Sequence, residues 1–334
     1  MDGNIDIYCE FGFLEKFCKS CPQTNNSVPN ENYKKWFEYF ELLCGHSSIL
    51  LTDIEKKDFI TYCDENGNEW QQILYQLLQS RYDGKGNHLE CAPKERVYME
   101  TYERDGEGIE YFDSKEQHIF FMNRSKNECE RMKDDYGLLF ISMDNLYEHN
   151  LLFTSDIQEI NKDSKLWECA KQYRHPCNTI VLVDNYLYKQ NRNNVLLKDV
   201  IKTNLQSLFD SLLPEKLMQK TFKIYIFTKS IYDERGAEDK SMEKLIQKWI
   251  PSLRPYSDKI KIEISTKHET DDHDRYLLTN YGLFNCGYGF VLTDSERRKG
   301  TSLSFFPITH SSSGSKKNNV YRIMQNLRKR RNLN

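Results

Sequence analysis

Thr179-Ile180-Val181-Leu182-Val183 is an unbroken run of β-branched and aliphatic residues, closed by Asp184-Asn185. A run without polar alternation is the pattern of a strand covered on both faces, as in the middle of a parallel sheet. Downstream, residues 195–213 have helical spacing and stop at Pro214. Residues 222–228 read as a strand, 241–249 as a helix and 259–265 as an alternating strand. Two further strands are predicted over 275–278 and 288–292. The order β-α-β-α-β-β-β predicts an α/β domain with a mixed sheet.

Upstream, residues 118–122 read as a strand, 125–135 as a helix and 138–142 as a second strand, a βαβ pattern that implies a parallel pair. Before that, 5–9 alternates like a short strand, 11–18 looks helical, and 22–32 is a polar loop. Trp36, Phe37, Phe40, Leu43 and Cys44 have helical spacing, and residues 48–51 form a short apolar run. Thr52 and Glu55 fit a capping box, and 70–78 is an amphipathic helix. Residues 82–117 are polar and glycine-bearing, which predicts loops with an edge hairpin. The expected class is therefore α/β in two domains: an N-terminal α/β domain over 1–168, a C-terminal domain with a mixed sheet over 174–312, and a basic tail over 313–334. Residues 165–173 read as a linking helix, and Ser311-Ser312-Ser313-Gly314-Ser315 as a flexible link to the tail.

Composition fits this division. At 334 residues the chain has room for two domains. It is 29% charged and 38% hydrophobic, but also 13% aromatic, with 18 Phe and 21 Tyr, so it can build cores that a disordered chain cannot. Mean hydropathy is −0.75. No apolar run reaches the roughly 18 residues of a spanning helix, and no apolar segment of a signal peptide follows Met1-Asp2-Gly3-Asn4. A cytoplasmic location is expected. Ten cysteines then read as reduced thiols. Cys18-Lys19-Ser20-Cys21 lacks the second pair that a structural zinc site wants. No phosphate loop, dinucleotide glycine pattern or nucleophile elbow occurs.

The stretch richest in chemistry is His273-Asp274-Arg275-Tyr276-Leu277-Leu278-Thr279-Asn280, followed by Gly287-Tyr288-Gly289. It resembles the signature of the phospholipase D superfamily, H-x-K-x4-D-x6-G-[SG], with the spacing kept throughout. Three positions depart from it: Arg275 stands for Lys, Asn280 for Asp, and Tyr288 for a small residue. The resemblance covers about residues 175–310 and implies a half-domain of that fold. It implies His273, Arg275 and Asn280 as the catalytic group, with Arg275, Gly287 and Tyr288 at the phosphate. The chemistry suits the residue types: a neutral imidazole can attack phosphorus while a neighbouring cation stabilises the equatorial oxygens. Residues two apart on a strand share a face. Family enzymes use two such histidines and no cofactor, so a single motif implies a homodimer. The bland alternative is a histidine paired with Asp271, Asp272 or Asp274.

The first half resembles PIN-like nucleases. Ile7-Tyr8-Cys9-Glu10 would supply an acid at the end of the first strand, with Asp6 as substitute. Asp53 or Glu55 would supply the second, and Phe120-Phe121-Met122-Asn123 the third, with Glu128 beyond it. The resemblance implies Mg²⁺ or Mn²⁺ held by Glu10, Asp53, Glu55 and Asn123, generating hydroxide for attack on a phosphodiester. The alternative is that Asp53 and Glu55 merely cap a helix.

Asp184, at the end of the central strand, can contact a ligand or cap the next turn. Net charge is −3, but residues 316–334 carry seven basic residues and no acid, and without them the chain stands at −10. Arg328-Lys329-Arg330-Arg331 can neutralise nucleic-acid phosphates, or be a solvated tail. Arg297-Arg298-Lys299 adds a second cluster. The expected function is a phosphodiesterase or nuclease acting on nucleic acid, of a kind that suits bacterial or mobile-element defence. The rival is a non-catalytic module that docks phosphate, nucleic acid or protein.

Overall fold

The computed structural model describes residues 5–22, 31–45, 47–66, 68–79, 88–91, 118–136, 138–153, 155–161, 165–217, 221–232, 240–266, 275–307, 310 and 315–316. They form two compact α/β units, one ending at Phe153 and one beyond it. The division precedes the expected one because Ser155–Ile160 is a strand of the second unit's sheet.

The first unit runs β1 (Ile5–Cys9), α1 (Phe11–Lys19), α2 (Glu31–Gly45), β2 (Ser47–Leu51), α3 (Lys56–Asn66), α4 (Glu69–Gln79), β3 (His88–Cys91), β4 (His118–Met122), α5 (Lys126–Tyr136) and β5 (Phe140–Ser142). The sheet order is β3-β2-β1-β4-β5, every pair parallel. Both faces are covered, so consecutive residues of β4 must both be apolar. Phe121 meets Phe13 of α1 at 5.0 Å and Tyr39 of α2 at 5.1 Å between ring centroids. Phe120 stacks on Tyr8 and Phe140, both at 4.8 Å, and packs with Cys129 and Leu138. β3 falls in the stretch expected to hold loops with an edge hairpin, and it is an edge strand, but parallel to β2 rather than half of a hairpin with it. Four residues are too few to show a period, and pairing with β2 holds it. The expected cap at Thr52 is also corrected. Thr52 N donates to Cys9 O, tying the end of β2 to β1, while α3 begins one turn later with Phe59 N donating to Glu55 O.

The second unit runs β6 (Ser155–Ile160), β7 (Thr179–Asp184), α6 (Lys198–Leu212), β8 (Phe222–Phe227), α7 (Ser241–Trp249), β9 (Ile260–Ser265), β10 (Arg275–Thr279), β11 (Gly282–Cys286), α8 (Asp294–Lys299) and β12 (Thr301–Pro307). The sheet order is β6-β12-β11-β10-β7-β8-β9. β7, β8 and β9 are parallel and the remaining pairs antiparallel, a mixed sheet. All of β7 is buried, as its unbroken apolar run implies. The expected linking helix shortens to a 3-10 turn, Glu168–Tyr173.

The strand expected over 288–292 is corrected to a turn region after β11. Gly289 N closes the turn onto Cys286 O, and the next donors go to side chains: Phe290 N to Asp184 and Leu292 N to Asn204 Oδ1. Asn204 returns a bond from Nδ2 to Leu292 O and accepts from the Trp167 indole at 3.3 Å. Two buried polar side chains thus do the work of a neighbouring strand.

Gly282, the first residue of β11, lies against the Phe305 ring and 2.9 Å from Phe306 O by the position a Cβ would take. Gly282→Ala should therefore overpack the centre of this sheet and cost about 1–3 kcal/mol. A melting temperature unchanged by Gly282→Ala would refute this, and shrinking the ring with Phe305→Leu should recover part of the loss.

Candidate functional site

Ligands of open α/β sheets bind beyond the carboxyl ends of the parallel strands, above all where strand order reverses. Each unit has such an edge, and the two are built differently.

In the first unit the order reverses between β1 and β4. Glu10 follows β1 and is buried. Its Oε2 accepts Asn123 N at 2.8 Å and its Oε1 accepts Arg124 Nε at 3.1 Å. Asp53 accepts Phe11 N at 2.7 Å and so caps α1. Asp144 accepts Lys126 N at 3.2 Å at the start of α5, and Glu128 accepts Ser125 N and Oγ. These two hydrogen bonds from Ser125 hold the Glu128 carboxyl below its usual range. Glu55 is exposed at the start of α3. Glu10 and Asn123 are joined by a hydrogen bond, and Asp53 meets the same helix start through Phe11 N. Both Glu10 oxygens and Asp53 Oδ1 already accept hydrogen bonds, from backbone N–H groups and the Arg124 guanidinium, so a divalent cation there would have to displace or share them. Among the described residues no three His, Cys, Asp or Glu side chains form a cation site, and the cysteines are free thiols.

In the second unit, β10 runs antiparallel to β7 in a register that sets Arg275 opposite Asp184. Parallel pairing of Val183 with Phe227 brings Thr228, one residue on, beside Asp184. Paired residues share a face, so Arg275, Asp184 and Thr228 line one face at the carboxyl edge. Asp184 is fully buried. Its Oδ1 accepts Tyr186 N at 2.9 Å and its Oδ2 accepts Phe290 N at 2.8 Å. Gly289 has φ +87°, and a Cβ there would stand 2.5 Å from Asp184 Oδ2. Only glycine meets both demands. Asp184 thus caps the turn after β7, one of its two expected roles, and also fastens the turn after β11.

Those two turns carry the groups that seat Arg275. Its guanidinium carbon lies 4.7 Å from the centroid of the Tyr186 ring, and Nη1 donates to Gly287 O at 2.5 Å. Arg275 Nε is buried with no hydrogen-bond partner, and among the described residues no carboxylate pairs with the guanidinium. Lys229, after β8, stands 5.6 Å from the same ring centroid. Tyr288 is half-buried, its N donating to Thr301 Oγ1 at 3.4 Å.

Arg275, Gly287 and Tyr288 therefore sit at one edge. Asn280 does not join them, which corrects its place in the expected catalytic group. It follows the far end of β10, five residues and roughly 16 Å away at about 3.3 Å per residue. There its Oδ1 accepts Asn178 N at 3.1 Å and Thr179 N at 3.2 Å, and its Nδ2 donates to Asn178 Oδ1, so it fastens the amino end of β7. His273 lies outside the described residues, as do Arg328, Lys329, Arg330 and Arg331. Tyr186, Lys229 and Thr228 were not among the expected site residues. The only signal for them is their position just beyond two central parallel strands. No family model, curated protein or solved structure matches this chain.

Two outcomes test the two edges. If Glu10 serves the backbone and Arg124 rather than a metal, Glu10→Gln should lower the melting temperature by the few degrees that about 1 kcal/mol represents. Mn²⁺ should then leave the wild type unmoved. A Mn²⁺-dependent rise in melting temperature that Glu10→Gln abolishes would restore the metal site. At the second edge, burial raises the Asp184 carboxyl above its usual value, against the lowering effect of the hydrogen bonds from Phe290 and Tyr186. Between the ordinary and the raised value, the folded chain holds a proton that the unfolded chain has lost. The stability from this group is whole below that window and is lost as pH rises through it. The advantage of wild type over Asp184→Asn in melting temperature should therefore be largest in acid and shrink toward neutral pH. A gap constant with pH would sink this reading.

Proposed function

We propose that the second unit handles a phosphodiester of nucleic acid, holding a phosphate on Arg275 and Lys229 and cleaving it through His273 when two copies meet. The observation that carries the reading is the convergence of two cations on the Tyr186 ring at the carboxyl edge, with Arg275 unpaired by any described carboxylate. A guanidinium presents a planar fork to two phosphate oxygens. The His-x-Arg spacing, similar to that of phospholipase D enzymes, supplies the nucleophile. In the first step an imidazole nitrogen forms a P–N bond, the P–O bond to the leaving nucleoside breaks, and the second copy's imidazolium gives its proton to the departing oxygen. In the second step that imidazole takes a proton from water, the hydroxyl displaces histidine from phosphorus, and the free phosphomonoester leaves. Neither step needs a metal.

A binding module without turnover is the second reading, and Asn280 favours it. The third member of the motif is spent on Asn178 and Thr179 at the other end of the strand. Neither reading draws on the acids of the first unit. Among the described residues no helix is long and apolar enough to cross a membrane.

Nuclease activity, oligonucleotide binding and melting temperature measured on His273→Ala and Arg275→Ala separate the readings. The expected result is that His273→Ala loses several orders of magnitude in cleavage while still binding. Arg275→Ala should weaken both, and EDTA should change nothing. Binding without turnover in the wild type, weakened by both substitutions, would establish the docking module instead. A wild type that neither cleaves nor binds any nucleic acid would end both.

A further inference from the structure

We infer that the carboxyl edge of the second sheet takes single-stranded nucleic acid, with an unpaired base laid against Tyr186 while the neighbouring phosphates lie on Arg275 and Lys229. The inference rests on the phosphate reading of the same edge and names the form of its ligand.

Large exposed apolar side chains are informative because folding normally hides them. Those of the described second unit are Tyr186, 37% exposed, Val195, 58%, and Tyr232, 65%. All three lie in the segments that leave β7 and β8, the two strands whose ends carry Asp184 and Thr228. Tyr186 is two residues beyond the end of β7, and Tyr232 three beyond Lys229. Between Tyr186 and α6, a Gln190–Leu196 bridge closes a small finger whose residues 190–195 are all exposed. It reads Gln190-Asn191-Arg192-Asn193-Asn194-Val195, one cation among amide side chains.

Aromatic rings set among cations are the composition of single-strand sites, where bases stack on the rings and the backbone follows the charge. A duplex keeps its bases stacked inside and offers such a ring only sugar and phosphate. The fastening of this turn also fits the role. Asp184 Oδ1 accepts the Tyr186 N–H at 2.9 Å, so the backbone that carries the ring is anchored before any ligand arrives. Asn and Arg side chains on the finger suit the hydrogen-bonding edges of bases that a strand splays outward.

The test is fluorescence anisotropy on the full chain with one labelled sequence offered as single-stranded DNA, single-stranded RNA and blunt DNA duplex, with pyrophosphate as a competitor that has no base. Both single strands should bind at least roughly tenfold more tightly than the duplex, and Tyr186→Leu should lose roughly tenfold on them. Tyr186→Trp keeps a ring against Arg275 and should retain affinity, and pyrophosphate should compete equally well in wild type and Tyr232→Ala, which leaves the Tyr186 ring and the Arg275 seat unaltered. Tyr232→Ala alters an exposed residue outside the core and should also weaken single-strand binding. Equal affinity for duplex and single strand overturns the inference. So does single-strand binding that survives both Tyr186→Leu and Tyr232→Ala while Arg275→Ala still abolishes it, and in that case the phosphate reading stands. If Arg275→Ala changes the binding of no ligand, the phosphate reading itself has failed.

Discussion

The second unit depends on one buried carboxylate. Asp184 ends the central strand with no exposure to water, a position that is costly for a charge unless hydrogen bonds compensate it. Compensation comes from the backbone N–H groups of Tyr186 and Phe290, which belong to segments about a hundred residues apart in the chain. Each has no strand partner of its own, so the same two bonds satisfy the carboxylate and hold the turns. Gly289 permits this by leaving room beside Oδ2 and by adopting a positive φ. Asn204 acts in parallel on Leu292. Removing Asp184 would leave the buried Phe290 N–H and the half-buried Tyr186 N–H without their acceptor and free both sides of the Arg275 seat at once.

The central strands of both sheets were legible because two-sided burial leaves an unmistakable mark. A run such as residues 179–183 has no face to give to water, and neither do Phe120 and Phe121. The edges were not legible. β6 and β12 pair with each other at one margin and neither was expected as a strand; Thr301–Pro307 buries alternate residues, with Ser302 and Ser304 on the other face. The converse error arose at residues 288–292, where apolar residues mean burial but not strand pairing. Periodicity reports which residues are buried, while the hydrogen-bond partner is settled by side chains that lie far away in sequence. The candidate site shows the same limit. The spacing from His273 to Gly287 brought out Arg275 and Gly287, yet Asn280, placed by the same spacing, belongs to the opposite edge because an intervening strand is five residues long. Tyr186 and Lys229 carry no motif, and only register makes them neighbours of Arg275.

The two carboxyl edges show why acids alone are a poor guide to a metal site. In the first unit Glu10, Asp53 and Asp144 lie where a parallel sheet would offer them to a ligand, but each accepts a backbone N–H: Glu10 from Asn123 after β4, Asp53 and Asp144 from Phe11 and Lys126, the first residues of α1 and α5. The N–H groups of Phe11 and Lys126 carry the positive end of a helix dipole and need an acceptor. The carboxylates complete the fold there. In the second unit the acid is buried and the cations remain at the rim, so the electrostatic balance is reversed on a similar scaffold.

That balance also accounts for an arginine at position 275, where the similar motif has lysine. An ammonium is a compact point charge, and its attraction to a ring does not fix the direction of its N–H groups. A guanidinium is flat. Its π-face can rest near Tyr186 while its edge donates in plane, as Nη1 does to Gly287 O. The ring and the carbonyl together define one plane for the remaining N–H groups, so their direction is set by the protein itself and a group bound there would cost little side-chain entropy. Tyr186 on its fixed turn and arginine at 275 are therefore one solution: the aromatic platform has value only with a planar cation to orient, and the planar cation is oriented only because Asp184 holds the platform still.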